Sequence, residues 1–199
     1  KDRVLNVIPH ASIYGLSPIN NWKAIEIDLK NDINVKGISP YIETEALIKS
    51  KSAVAGVLIN GVIASKDKSV SVIHEFMQTG SFENIQKDSN IVLGRLLARK
   101  LNVDVGDKIS LMLPDNNSSF AGYFPRSKVF NISGIFNVGS KDIDQTLAYI
   151  SLENASALTG LGNQIHGFRL RFEDLFDAPY LVWQSLVFAE KNSNVLLNA

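Results

Sequence analysis

One stretch constrains the fold more than any other. From Ile91 to Phe136 a helix, a strand, a loop and a second strand are predicted to follow one another without a break, so the rest of the chain has to be arranged around this unit. The first segment, Ile91 to Leu101, sets Leu93, Leu96, Leu97 and Leu101 at spacings of three and four residues and predicts an amphipathic helix. Gly106-Asp107 is a turn signal. Lys108 to Pro114 then alternates, with Ile109, Leu111 and Leu113 on one side, as a half-buried strand does, and Pro114 ends the strand because it has no N–H to extend a ladder. Val129 to Phe136 is the predicted return strand, with β-branched and aromatic residues between small or polar ones.

The segment joining these strands, Pro114 to Lys128, is too long for a tight hairpin and is divided in composition. Its first half is polar turn chemistry. Its second half places Phe120, Tyr123, Phe124 and Pro125 beside Arg126 and Lys128. Aromatic rings with arginine are the side chains that protein interfaces favour, and these six residues form a candidate partner-binding site. The alternative is that one or two rings fold beneath the hairpin as a satellite cluster.

The rest of the chain excludes more chemistry than it suggests. With 199 residues, 45% of them hydrophobic, the sequence can bury a substantial core as one large domain or two small subdomains. Twenty basic residues balance twenty acidic ones, which points away from nucleic acid or an anionic membrane surface as the main partner. The absence of cysteine removes disulfides, Cys-based metal sites and thiol catalysis together. No apolar run approaches the roughly 20 residues of a membrane span, and no signal peptide heads the chain. Lys1-Asp-Arg starts it abruptly, as though it were excised from something longer.

Taken in order, His10 to Tyr14 predicts a first strand and Asn20 or Asn21 caps a helix to about Asn31 with Trp22, Ile25 and Leu29 buried. Ile33 to Pro40 reads as a connector. Tyr41–Lys49 and Ala53–Ile63 predict two strands joined by a Ser50-Lys51-Ser52 turn, and Lys66–Gly80 a short helix. After the central stretch, 139–144 reads as a polar loop, 146–152 as a strand and 153–161 as a helix closed by Gly160. The stretch 167–172 reads as a strand with Arg169 and Arg171 outward, 176–190 as a helix, and 194–197 as a last short strand. This alternation predicts an α+β protein of two interleaved subdomains, approximately 1–80 plus 165–199 and 81–164.

No catalytic constellation is present. His10, His74 and His166 are isolated from one another and from any metal-ligand spacing, and each reads as a structural or surface residue. Asp142 and Asp144 form a lone Asp-x-Asp, which is more often solvated than a cation site. There is no nucleophile elbow or Walker loop, and Gly160, Gly162 and Gly167 do not have dinucleotide spacing. No cofactor is expected.

Ile91-Val-Leu-Gly-Arg-Leu-Leu-Ala98, Leu101-x-Val-x-x-Gly-Asp-Lys-Ile-x-Leu-Met-Leu-Pro114 and Ser133-Gly-Ile-Phe136 resemble the periplasmic core domain of MacB- and FtsX-type ABC transporter permeases. They are most similar to the lipoprotein-releasing subunits LolC and LolE. The opening Arg3 to His10 resembles the segment that follows the first membrane helix in those subunits, so the likeness covers essentially the whole chain. It implies a MacB-like periplasmic core with a protruding hairpin loop, in the periplasm of a Gram-negative bacterium. Its membrane helices would flank this region, ATP hydrolysis would lie on a separate cytoplasmic subunit, and a second permease subunit would complete the complex. In LolC-like members the periplasmic carrier LolA docks on the loop at the position of Pro114 to Lys128, and in LolE-like members the fold guides the lipoprotein substrate. The 174–178 segment and Asn21-Trp22 look LolE-like, while the loop's length and Phe-Pro-Arg ending fit LolC. A MacB-like efflux or FtsX-like permease domain is the alternative.

Overall fold

The computed structural model describes residues 9, 11–32, 34–114, 126–173, 178–193 and 197–198. In chain order the elements are β1 (Ala11–Ile19), α1 (Trp22–Lys30), β2 (Val35–Lys49), β3 (Val54–Val62), α2 (Ala64–Asp67), β4 (Met77–Gly80), β5 (Asn90–Gly94), α3 (Arg95–Leu101), β6 (Lys108–Met112) and β7 (Ser127–Phe136). They continue with α4 (Lys141–Thr146), β8 (Leu147–Ser151), α5 (Leu152–Thr159), β9 (Ile165–Phe172), α6 (Ala178–Ser193) and β10 (Leu197–Asn198). Two 3-10 turns, Ile73–Phe76 and Phe82–Gln86, complete the list of regular segments among the described residues.

The chain forms two compact units, one of residues 1–42, 62–73 and 161–199, the other of 43–61 and 74–160. The first division therefore takes less of the N-terminal half than the sequence pattern assigns to it, because 43–61 and 74–80 pair within the second unit.

In the first unit the sheet order is β10-β1-β9-β2, and β1 with β10, β1 with β9 and β9 with β2 all run antiparallel. The predicted connector at 33–40 is instead the start of β2, which pairs with β9 from Val35↔Phe172 to Tyr41↔Gly167. Gly37 and Pro40 suggest a break locally, but pairing with a central strand overrides that signal. Ile13, Ile19, Ile25, Leu29, Phe168 and Leu170 are fully buried. In α1, Ile25 and Leu29 occupy the buried face as the spacing predicts. Trp22 is half-buried and its Nε1–H donates to the Asn163 carbonyl at 3.0 Å. Asn21 takes the N-cap position but makes no side-chain cap bond.

The second unit holds the remaining strands in a closed hydrogen-bonded circuit, β2-β3-β8-β5-β7-β6-β2, with β4 added to β7. The long strand β7 makes the closure possible. Residues 127–131 pair antiparallel with β6, and residues 131–136 pair parallel with β5. Closing the circuit leaves fewer edges to protect. Tyr149 is at the centre of the core, edge-on to Phe82 at 5.4 Å and to Phe136 at 5.9 Å between ring centroids.

Three predicted elements are corrected in this unit and at its border. Ile91 to Leu101 is a strand followed by a helix: Ile91, Val92 and Leu93 are buried between β7 and β8, and the helix starts only at Arg95. The predicted helix at 66–80 is a short helix ending at Asp67, a 3-10 turn and the strand β4, because Met77, Thr79 and Gly80 pair with β7. The predicted polar loop at 139–144 contains α4. Its Asp144 is buried rather than solvated, and the carboxylate accepts the Val138 and Gly139 N–H groups, both at 2.9 Å. The strand pair β6 and β7, the β2–β3 hairpin, β8 and α5 closed by left-handed Gly160 agree with the sequence reading.

Candidate functional site

Phe120, Tyr123, Phe124 and Pro125 lie outside the described residues. Arg126 and Lys128 are described, and the side chains of both are bound to α5. At the loop's root the Leu113 N–H donates to the Arg126 carbonyl at 3.0 Å, which extends the pairing of β6 with β7 by one bond beyond Met112 and Ser127. The exposed Arg126 guanidinium donates through Nη1 to the Thr159 carbonyl at 2.5 Å, the last residue of α5. Cations are favoured at a helix C-terminus, where carbonyl groups lack intrahelical partners. A side chain at Gly160 would collide with this arrangement, since a Cβ there would lie 2.2 Å from Arg126 Nη1.

Lys128 is half-buried. Its Nζ donates to Asn154 Oδ1 at 2.6 Å and lies 5.6 Å from the centre of the Phe130 ring. Asn154 is itself held: its Nδ2 donates to the Asp88 carbonyl at 2.8 Å, and its N–H donates to Ser151 Oγ, the N-cap of α5, at 3.1 Å. The two cations the sequence singles out therefore hold the root of the loop against both ends of α5. Between them, Val129 is 56% exposed, an apolar side chain presented outward beside the candidate residues.

A second feature escaped the sequence reading. Next to Pro114 is an open cleft of about 630 Å³ on the β2–β3 hairpin, lined among others by Leu47, Gly56 and Leu58. A local signal existed for it, since Leu47 occupies the outward register between Glu45 and Lys49, where a polar residue would be expected.

The first unit contains one buried charged cluster. Arg169, predicted to point outward, is buried instead, as are Gly167, Phe168 and Leu170 around it in β9. Consecutive buried residues mean that both faces of this central strand are covered, so alternation could not tell inside from outside. The Arg169 guanidinium lies 4.8 Å from the Tyr41 ring centre and 3.9 Å from Asp67 Oδ1, which has no hydrogen-bond partner among the described residues. Burial pushes the Asp67 carboxyl up to about 6, and the nearby Arg169 charge opposes that rise. A carboxylate also holds α1: buried Glu26 pairs with Lys66 at 2.5 Å and Lys30 at 3.5 Å.

Among the described residues no three His, Asp or Glu side chains are grouped as a metal site. His74 and His166 are half-buried and lie in different units, and His10 is outside the described residues. Among those residues, no helix is long and apolar enough to cross a membrane.

No family model matches the sequence. Among curated proteins the chain is 29% identical over 195 residues to the lipoprotein-releasing system transmembrane protein LolC of Neisseria meningitidis serogroup B, covering 97% of this chain and 47% of that protein. It is 31% identical over 177 residues to LolC of Xylella fastidiosa, covering 88% and 42%. To LolE of Haemophilus influenzae it is 30% identical over 185 residues, covering 90% and 44%. The chain thus spans somewhat under half the length of the curated relatives it matches. Among solved structures, the extracellular domain of the noncanonic ABC-type transporter YknZ from Gram-positive bacteria superposes with a TM-score of 0.61 at 10% identity, covering 93% of this chain and 95% of that one. The periplasmic region of MacB from Actinobacillus actinomycetemcomitans superposes with a TM-score of 0.58 at 8% identity, covering 94% and 86%. At such identities the structural likeness shows the fold, which is the α+β architecture expected from the sequence.

Proposed function

For a LolC/LolE-like chain on the MacB-like periplasmic-domain fold, we propose the role of extracytoplasmic domain in an inner-membrane permease subunit of a lipoprotein-releasing ABC transporter. In this reading the domain guides lipoproteins released from the inner membrane and passes them to a LolA-like periplasmic carrier. Phe120, Tyr123, Phe124, Pro125, Arg126 and Lys128 form the docking loop. The domain carries no catalysis of its own and needs no cofactor. ATP hydrolysis belongs to a separate subunit, a partner permease completes the complex, and flanking helices supply the membrane anchor.

The observation that supports docking most directly is the fixation of the loop's root. Arg126 and Lys128 are held by α5 through the Thr159 carbonyl and Asn154, so a partner would meet a base whose geometry is already set. Such preorganisation lowers the entropy cost of binding. Aromatic anchors presented from a fixed base are the arrangement that concentrates binding energy in few residues.

Titration calorimetry of the chain against LolA from the same organism tests the reading. Wild type is expected to bind at micromolar affinity or tighter, and Tyr123→Ala/Phe124→Ala to lose about 2–4 kcal/mol of it. The melting midpoint should shift little, since exposed loop substitutions usually change stability by less than about 0.5 kcal/mol. A stability loss typical of a core substitution would mean that these rings pack inside. Absence of carrier binding by the folded chain would favour the LolE-like role of guiding substrate. The MacB-like efflux or FtsX-like alternative has fold likeness alone behind it, and binding to an efflux adaptor in place of the carrier would support it.

A further inference from the structure

One end of β6 gathers positive charge that the fold itself does not use. The Ser50 and Ser52 hydroxyls of the β2–β3 turn donate to the Leu101 carbonyl at the end of α3, at 2.7 Å and 3.1 Å, and so seat the hairpin tip against that helix. Lys49 and Lys51 thereby reach the same end of the second unit as Arg99, Lys100 and Lys108, and all five are exposed. Lys49 lies opposite Ser110 in the β2–β6 pair, so Lys108, two residues before Ser110, projects from the same face. Among the described residues no carboxylate forms an ion pair with any of the five. Cations beside a helix C-terminus commonly serve its free carbonyls. Here other groups satisfy them: the Asn102 and Val103 N–H groups donate to the Arg99 and Ala98 carbonyls, both at 3.1 Å, and the Leu101 carbonyl takes the two hydroxyls.

The patch is not uniformly positive, and this decides what fits it. Asp104 and Asp107 lie in the turn between α3 and β6, where their carboxylates accept the Val105 and Asp104 N–H groups, both at 2.8 Å. Between them in the chain Val105 is 41% exposed, and Val54, just after the hairpin turn, is 51% exposed. A bilayer of anionic lipids presents one sign of charge and would repel both aspartates. A protein surface can set carboxylates against the cations, hydrogen-bond donors against the aspartates and an apolar side chain against the valines. We propose that this end of the second unit is a docking surface for an acidic segment of a partner protein, one whose carboxylates flank an apolar side chain. The inference does not depend on the carrier-docking reading, because the aromatic loop leaves the opposite end of β6, beyond Met112.

The probe is a fluorescein-labelled peptide with Glu-Glu-Val-Glu-Glu at its centre, titrated against the chain by fluorescence anisotropy. A twin with glutamine in place of glutamate and vesicles containing phosphatidylglycerol are titrated alongside it. Saturable binding by wild type, weakened roughly tenfold in Lys51→Glu/Lys100→Glu and severalfold in Val105→Ser, is the expected result. The glutamine twin should not saturate, and added salt should weaken binding of the acidic peptide. Lys23→Glu/Lys36→Glu, which reverses two exposed charges in the first unit, should bind as wild type does. Lys51→Gln/Lys100→Gln replaces the reversal variant if that variant melts early. No binding by wild type, equal affinity of wild type and Lys51→Glu/Lys100→Glu, or an equal loss in Lys23→Glu/Lys36→Glu would overturn the assignment. So would affinity unaffected by Val105→Ser, equal binding of the glutamine twin, or tighter association with the vesicles than with the acidic peptide.

Discussion

Gly94→Ala is expected to be the most damaging small substitution in the second unit. Gly94 ends β5 and takes the N-cap position of α3, and a Cβ there would lie 2.3 Å from the Asp144 carbonyl oxygen and 2.7 Å and 2.8 Å from that residue's C and Cα. These are backbone atoms of α4, and α4 has no freedom to retreat, because the Asp144 carboxylate is tied to the Val138 and Gly139 N–H groups. Relief would require pulling the buried Asp144 and its turn of α4 away from Val138 and Gly139 or breaking the β5 pairing, and the expected loss is about 4 kcal/mol or more. For a chain of this size that is a fall of about 8–16 °C in melting midpoint, measurable by circular dichroism. Gly56→Ala, with open space around it, is the control and should melt close to wild type. If the two variants melt alike, α4 does not press on Gly94 as described. The argument also gives a physical reason for the glycine in Ile91-Val-Leu-Gly94, one of the segments that carries the family resemblance: one hydrogen in place of a Cβ lets a helix cross directly over the strand end.

Arg169→Met is expected to have the largest effect in the first unit, and the effect should depend on pH. Asp67 is 1% exposed and its carboxyl is raised to about 6 from 3.8. Between those values the folded chain holds the proton and the unfolded chain does not. The contribution of this group to stability therefore grows as pH falls through about 6 and is complete below 3.8. Above pH 6, ionised Asp67 costs the fold roughly 2–3 kcal/mol relative to its protonated form. Arg169 is the cation that limits this cost. Removing it leaves a buried carboxylate without compensation and strips the guanidinium from the Tyr41 ring. The expected loss is about 3–5 kcal/mol at pH 7.5 and clearly less at pH 5, where Asp67 is protonated. Urea unfolding at both pH values measures it. The double variant Asp67→Asn/Arg169→Met should recover most of the loss and show no extra pH dependence around 6, since apolar or neutral replacement of a buried pair is often well tolerated. A pH-independent loss in the single variant would contradict the burial argument.

Some elements of this fold are set by their own residues and others by the segments they meet. Where a segment's fate depended on its own residues, the sequence reading held. The alternation of Ile109 and Leu111 against Val129 to Phe136 specified the β6–β7 pair, Ser50 to Ser52 specified the hairpin turn, and Gly160 stops α5 in a left-handed conformation that glycine adopts without strain. Where a partner decided, the reading slipped. Ile91 to Leu93 fit the period of the helix that follows, yet two flanking strands claim them. Met77 to Gly80 joined a sheet because β7 was long enough to receive them.

The candidate site divides the same way. Composition alone pointed to an aromatic and basic loop and named Arg126 and Lys128, but only the fold showed that both cations are held by α5. The cleft at Leu47, Gly56 and Leu58 joins β2 and β3 to Pro114, about sixty residues away along the chain, and no local pattern encodes that meeting. The sequence by itself determined the α+β class and the pairing of β6 with β7, because these follow from turn chemistry and nearest-neighbour alternation, and its motifs carried the resemblance to LolC and LolE. The tertiary structure alone decided the closed strand circuit, the burial of Arg169 beside Asp67 and the close approach at Gly94. Each of these depends on free energy gained when distant segments cover one another, a quantity that no window of neighbouring residues contains.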